Sequence, residues 1–208
     1  MSTVQSLAEP CTLKECQLWH MTTLTSSNDM PDALSYLGTD AELKKALKSI
    51  HPINYTSDNV PFLQREGALA VNQLAIEYAH SGVLHDKKLL ALVIVRLHDL
   101  QVRDFAMGIT TEENIELLWS LWRSILQISP AHFVAPVATL LSATCYEMGD
   151  MDLALRALDR ALEDDSKYPM AKLLRRVYAA GWPPLSFREM RRDLHPKVCA
   201  SLGVISEP

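Results

Sequence analysis

The chain has 208 residues, 48% hydrophobic and 22% charged, a balance that excludes global disorder and suits one sizeable domain. Seven glycines against 11 prolines favour helices punctuated by short turns. The net charge of −5 hides a polarity: residues 1–171 carry 13 Lys and Arg against 22 Asp and Glu, whereas residues 172–197 carry seven against two.

Residues 1–37 are rich in Ser and Thr and show no sustained period, so they are expected to form a mobile N-terminal arm. Thr39 to Glu42 has the form of a capping box and opens a first helix that Pro52 stops. Pro61 suits the first turn of a second helix, with Leu63, Leu69, Val71, Leu74, Ala75 and Tyr78 as its apolar side and Gly82 as its cap. A third helix is predicted from about Asp86 through Phe105. Its centre is β-branched, but its length and the Asp99–Arg103 pair at i,i+4 favour helix.

Thr110 to Glu113 reads as a second capping box, before a helix whose apolar face is Leu117, Leu118, Leu121, Trp122 and Leu126. Pro136 sits in the first turn of a helix from about Ala135 to Gly149, and further helices span Met151 to Asp164 and Tyr168 to Gly181. Trp182-Pro183-Pro184 breaks the chain, and Ser186 to Glu189 opens a last short helix with a third box. No strand pair or Asn-Gly hairpin stands out. The expectation is all-α: a single bundle of about seven or eight helices over residues 38–195, with a tail at 196–208.

No early stretch combines a basic start, an apolar core and a small-residue cleavage site, and the run Leu89 to Val95 is far too short for a bilayer. Cys11, Cys16, Cys145 and Cys199 have no framework spacing. A cytoplasmic protein without a membrane partner is expected.

Gly149-Asp150 followed by Ala154, Ala157 and Ala161 resembles the second half of a tetratricopeptide repeat, where small residues let two antiparallel helices approach. No second copy follows at the proper period, so one hairpin inside a bundle is expected rather than an array. A longer resemblance is carried by Arg103-Asp104, Ala135-Pro136, Gly149-Asp150, Tyr168, Ala171, Leu174, Gly181 and Pro183-Pro184. In that order these residues resemble the C-terminal half of the actinobacterial domain of unknown function numbered 4192, over about residues 100–192. The usual N-terminal α/β half of that family, with its leucine-rich opening, has no recognisable place here, and residues 1–100 are either a strongly diverged form of it or a shorter helical replacement. The resemblance implies an actinobacterial host, or a phage of one, and no activity.

Among candidate chemistries, Cys11, Cys16 and His20 lack the short paired spacing and fourth ligand of structural zinc, so no metal is expected. Arg96 to Asp104 gathers two arginines, a histidine and two aspartates; it reads as helix-surface ion pairs, with Arg103-Asp104 as a structural tie. An enzyme with a site near Asp99–Asp104 is the third reading. No Gly-rich phosphate loop, nucleophile elbow, HExxH or paired CxxC is present, so neither enzymatic activity nor a cofactor is expected.

The basic segment holds Lys172, Arg175, Arg176, Arg188, Arg191, Arg192, His195 and Lys197 around Trp182, the tryptophan best placed to reach the surface. Exposed aromatics beside arginines make protein-interface hot spots. The first reading is therefore a non-enzymatic protein-binding module, regulatory or host-modulating. It presents Arg175, Arg176, Trp182, Arg188, Arg191 and Arg192 to an acidic partner. Gly149, Ala154, Ala157 and Ala161, with Arg103 and Asp104, are its structural residues. The alternative is a nucleic-acid-associated regulator using the same cations on phosphates.

Overall fold

Capping chemistry and burial decide where each helix starts and stops. The computed structural model describes residues 32–205, and those residues form nine helices and no strand. They are α1 (Ala41–Ser49), α2 (Val60–Ser81), α3 (Lys87–Arg96), α4 (Leu100–Gly108), α5 (Ile115–Ile128), α6 (Val134–Glu147), α7 (Met151–Asp164), α8 (Pro169–Ala179) and α9 (Pro184–Leu202).

None of the three expected capping boxes supplies its helix's cap residue. Asp40, not Thr39, caps α1 by accepting the Leu43 amide at 2.7 Å, while the Thr39 hydroxyl donates to the Ile128 carbonyl at 2.6 Å. α5 begins after Asn114, whose side chain accepts from the Thr111 amide and donates to the Ile109 carbonyl. α9 begins two residues before Ser186, with Pro184 in its first turn.

The predicted helix over 86–105 is two helices. Asp99 divides them because its carboxylate works at an N-terminus: Oδ1 accepts the amides of Gln101 and Val102, and Oδ2 accepts Tyr55 Oη at 2.8 Å and Gln64 Nε2 at 2.9 Å. A buried carboxylate with four donors is a satisfied cap rather than half of a surface ion pair. Arg103, expected to face it, turns to Asp104 instead, at 2.7 Å.

All 14 residues of α6 are buried, as befits a helix covered on every side. Its closest neighbour is α7, which reaches it through Ala154, Ala157 and Ala161; Ser142 Oγ donates to the Ala154 carbonyl at 2.8 Å. Gly149, at φ +85°, reverses the chain. Its amide bonds the Tyr146 carbonyl, and the Asp150 amide bonds that of Cys145. Asp150 then caps α7. At the far end Asp164, in the last turn of α7, accepts the amides of His132, Val134 and Ala135 at the start of α6. The hairpin is thus fastened at both ends, and a single helical domain is built around it.

Both expected boundaries move. Leu34 is buried, the Leu37 amide donates to the Gln127 carbonyl at 2.7 Å, and Asp32 pairs with Arg156, so residues 32–37 lie on the domain. The rest of the expected arm, residues 1–31, lies outside the described residues. At the other end α9 runs through Pro196 to Leu202 instead of stopping near 195. A proline inside a helix costs about 3 kcal/mol through one lost hydrogen bond and a clash. Burial of Cys199 and Leu202 beyond it offsets that cost.

Candidate functional site

The basic segment divides into a buried half and an exposed half. Arg191, expected at the surface, is only 5% exposed. Its Nε and Nη2 donate to Glu147 Oε1 at 2.6 Å and Oε2 at 2.8 Å, and its Nη1 donates to the carbonyls of Gly108 and Thr110. Glu147 is the last residue of α6 and is itself buried. A guanidinium can be buried only where a fork of acceptors replaces its water, and the converging ends of α4 and α6 supply one. Arg188 is half-drawn into the same junction, donating to Glu112 at 2.6 Å and to the Glu147 carbonyl at 3.3 Å. These two arginines fasten α9 to the domain.

One turn beyond Arg191, the imidazole of His195 lies against Gly108, its Nδ1 side nearest. A Cβ on that glycine would fall 2.0 Å from His195 Nδ1. The Phe105 ring is 5.4 Å away and Cys199 Sγ is 3.4 Å from Nε2. Burial, reinforced by the charge of Arg191, holds His195 below the ordinary imidazole value of 6.5. His98 is shifted the same way by burial, against the opposing pull of Asp164 and Asp165. With both rings held below their unfolded value, the unfolded chain takes up protons first as pH falls. The stability these two rings contribute is fully present above about pH 6.5 and is lost as pH falls toward the folded values. Urea midpoints at about pH 7.5 and about pH 5.5 are expected to differ less in His195→Gln than in the wild type. An unchanged difference contradicts the assignment.

The exposed half belongs to α8 and the turn after it. Arg175 pairs with Asp159 on α7, which leaves Lys172 and Arg176, one turn apart, exposed. Neither has an ion pair or side-chain hydrogen bond to any described residue. Leu173 is 47% exposed beside them, and Ala179 and Ala180 continue the same face. α8 contains no acidic residue.

At its end Gly181, at φ +66°, closes the helix, and the Trp182 amide bonds the Val177 carbonyl. The Trp182 carbonyl accepts the Tyr146 hydroxyl, and its ring meets Phe187 edge-on at 6.5 Å. Tyr146 in turn stacks on Tyr178 at 4.0 Å. Trp182 is therefore held from behind and remains 37% exposed. Leu185 on α9 and Met148 at the α6–α7 turn are also exposed, and Arg192 stands out in solvent 3.8 Å from Asp193.

Of the six residues expected to bind a partner, the structure keeps Arg176, Trp182 and Arg192 outward. Arg175 and Arg188 are tied to carboxylates, and Arg191 is withdrawn from the surface. Leu173, Ala179 and Ala180, not among the six, share one helical face with Lys172 and Arg176 by the spacing of 172, 173, 176, 179 and 180.

Around Asp99–Asp104 the polar groups are occupied. Asp99 has its four donors, and Arg103 is closed onto Asp104; burial opposes the Arg103 charge, but Tyr168 and Asp104 more than offset it. Tyr55, itself largely exposed, spends its hydroxyl on Asp99. A cleft of about 380 Å³ nearby is lined by His98, His132, Asp164, Asp165 and Tyr168, with Asp164 committed to backbone amides. A second cleft, of about 470 Å³, lies over Arg96, which is bonded to Glu66 and the His51 carbonyl. Among the described residues no group of three or more His, Cys, Asp and Glu side chains could hold a metal, and no helix is long and apolar enough to cross a membrane. Cys11, Cys16 and His20 lie outside the described residues.

A family model described as a domain of unknown function, DUF4192, matches residues 23–185. The match opens far ahead of the expected stretch of about 100–192, so the N-terminal half falls within the family's span, and it closes early in α9. No curated protein and no solved structure matches the chain.

Proposed function

Because the chain belongs to the family described as a domain of unknown function, DUF4192, its role must be read from its own surface, and we propose that it is a non-enzymatic module that binds another protein. The binding edge is the outer face of α8 with the turn that carries Trp182. One observation supports this above the rest: Trp182 is clamped through its carbonyl and its ring, yet keeps over a third of its surface in solvent. An aromatic fixed in place before binding loses little entropy on contact, which is how interface anchors behave.

Protein is favoured over nucleic acid by composition of the edge. Phosphate backbones reward many cations on one surface. Here Arg175, Arg188 and Arg191 are engaged with Asp159, Glu112 and Glu147, and exposed Leu173, Trp182 and Leu185 interrupt the cations that remain. The setting we propose for such a module is a regulatory or host-modulating role in the cytoplasm.

The test is capture with the full chain as bait, against the variant Trp182→Ala with Arg192→Glu. Arg192 is exposed and Trp182 is over a third exposed, and a wild-type circular dichroism spectrum is the check that the variant is folded. A partner retained in stoichiometric amount by the wild type and lost from the variant is expected. Equal retention by both, or no stoichiometric protein at all, contradicts the proposal. Arg191 is unsuitable as a probe, because changing it disturbs the fold.

A further inference from the structure

Resting on that reading, we infer that the outer face of α8 takes one kind of partner: an amphipathic helix with an acidic face. α8 buries Ala171, Leu174 and Tyr178 against the domain. The opposite side carries Lys172, Leu173, Arg176, Ala179 and Ala180, all exposed. At 100° per residue these five fall within about one third of the helix circumference. They form a stripe of two cations, one leucine and two alanines, followed in the chain by the turn that carries Trp182.

Three properties of the stripe define its occupant. Lys172 and Arg176 stand at i,i+4 with no ion pair or side-chain hydrogen bond to any described residue, and α8 offers no acid to neutralise them. Two carboxylates at the same spacing on a facing helix would match them. Leu173 keeps nearly half its surface in water and would gain from an apolar side chain laid over it. Ala179 and Ala180 leave the backbone of the last turn uncovered, so a second helix can approach closely there, as α7 approaches α6 over Ala154, Ala157 and Ala161. The 11 residues of α8 span about 16 Å, or three turns. Extended peptide is disfavoured, because the described residues form no strand and so offer it no sheet edge.

The experiment is fluorescence anisotropy with the full chain and four labelled probes. The first is a peptide of about 18 residues, long enough to hold a helix, with glutamates at i,i+4 beside a leucine stripe. The second replaces its glutamates with lysines and the third its leucines with alanines. The fourth is a single-stranded oligonucleotide of equal charge. Saturable binding is expected for the first probe alone. It should weaken at least tenfold with Arg176→Glu and likewise with Leu173→Asp, both exposed positions that leave the core intact.

No saturation of the first peptide at about 1 mM overturns the inference, because a face that weak is not a docking site. Equal binding of the lysine or alanine peptide overturns it too, as does an oligonucleotide that binds as tightly. The two readings fail separately. A captured partner lost on Trp182→Ala but indifferent to Lys172→Glu and Arg176→Glu removes the acidic helix and leaves protein binding standing.

Discussion

Arg191→Ala is expected to lower the stability of the domain by about 3–5 kcal/mol, the usual cost of leaving one member of a buried ion pair uncompensated. In a chain of this size that corresponds to a fall in Tm of roughly 6–20 °C. The substitution strands the Glu147 carboxylate at the end of α6 and removes donors from the Gly108 and Thr110 carbonyls. It also loosens α9, which is then held to the ends of α4 and α6 by Arg188 and His195 without this guanidinium. Arg191→Lys should recover little, since an ammonium cannot reach both Glu147 oxygens and the two carbonyls. The double variant Arg191→Met with Glu147→Leu should recover much of the loss, because it removes both charges together. Denaturant midpoints measure all three. A wild-type midpoint for Arg191→Ala would show that α9 is held by something else.

Gly108→Ala is the second large effect. The added carbon would meet the His195 ring, with Cγ at 2.7 Å as well as Nδ1 at 2.0 Å, so α9 must lift or the imidazole must leave its place. Overpacking of this kind costs about 1–3 kcal/mol, and contact with two ring atoms points to the upper end. The cost belongs to one contact, so it should largely vanish when His195→Ala is already present. A double-mutant cycle should therefore give a coupling of about 2 kcal/mol between positions 108 and 195. Additive effects would mean that Gly108 serves its backbone rather than the close approach of α9.

The two effects explain why part of this molecule was open to sequence reasoning and part was not. Gly149-Asp150, Gly82 and Pro61 act within a few residues of themselves, so the hairpin turn, the end of α2 and its start were readable from local chemistry. Asp99 was misread because two of its donors, Tyr55 and Gln64, lie 44 and 35 residues away. Without them an Asp four residues before an Arg is indistinguishable from a helical ion pair. Arg191 was placed at the surface for the same reason: its acceptors are 44, 81 and 83 residues distant.

Pro196 reads as a stop unless one knows that Cys199 and Leu202 are buried beyond it. The candidate site was half legible. Trp182 between Gly181 and Pro183 announces an exposed aromatic, and a basic segment announces cations, but only packing reveals which cations are already occupied.

The proposal that α8 and Trp182 face another protein can be read out by hydroxyl-radical footprinting of the full chain, free and with a protein it captures. Leu173 and Trp182 should lose reactivity on binding, while Tyr55, Phe62 and Leu100, exposed elsewhere, keep theirs. Protection of Tyr55, Phe62 and Leu100 with unchanged reactivity at Leu173 and Trp182 would contradict the account.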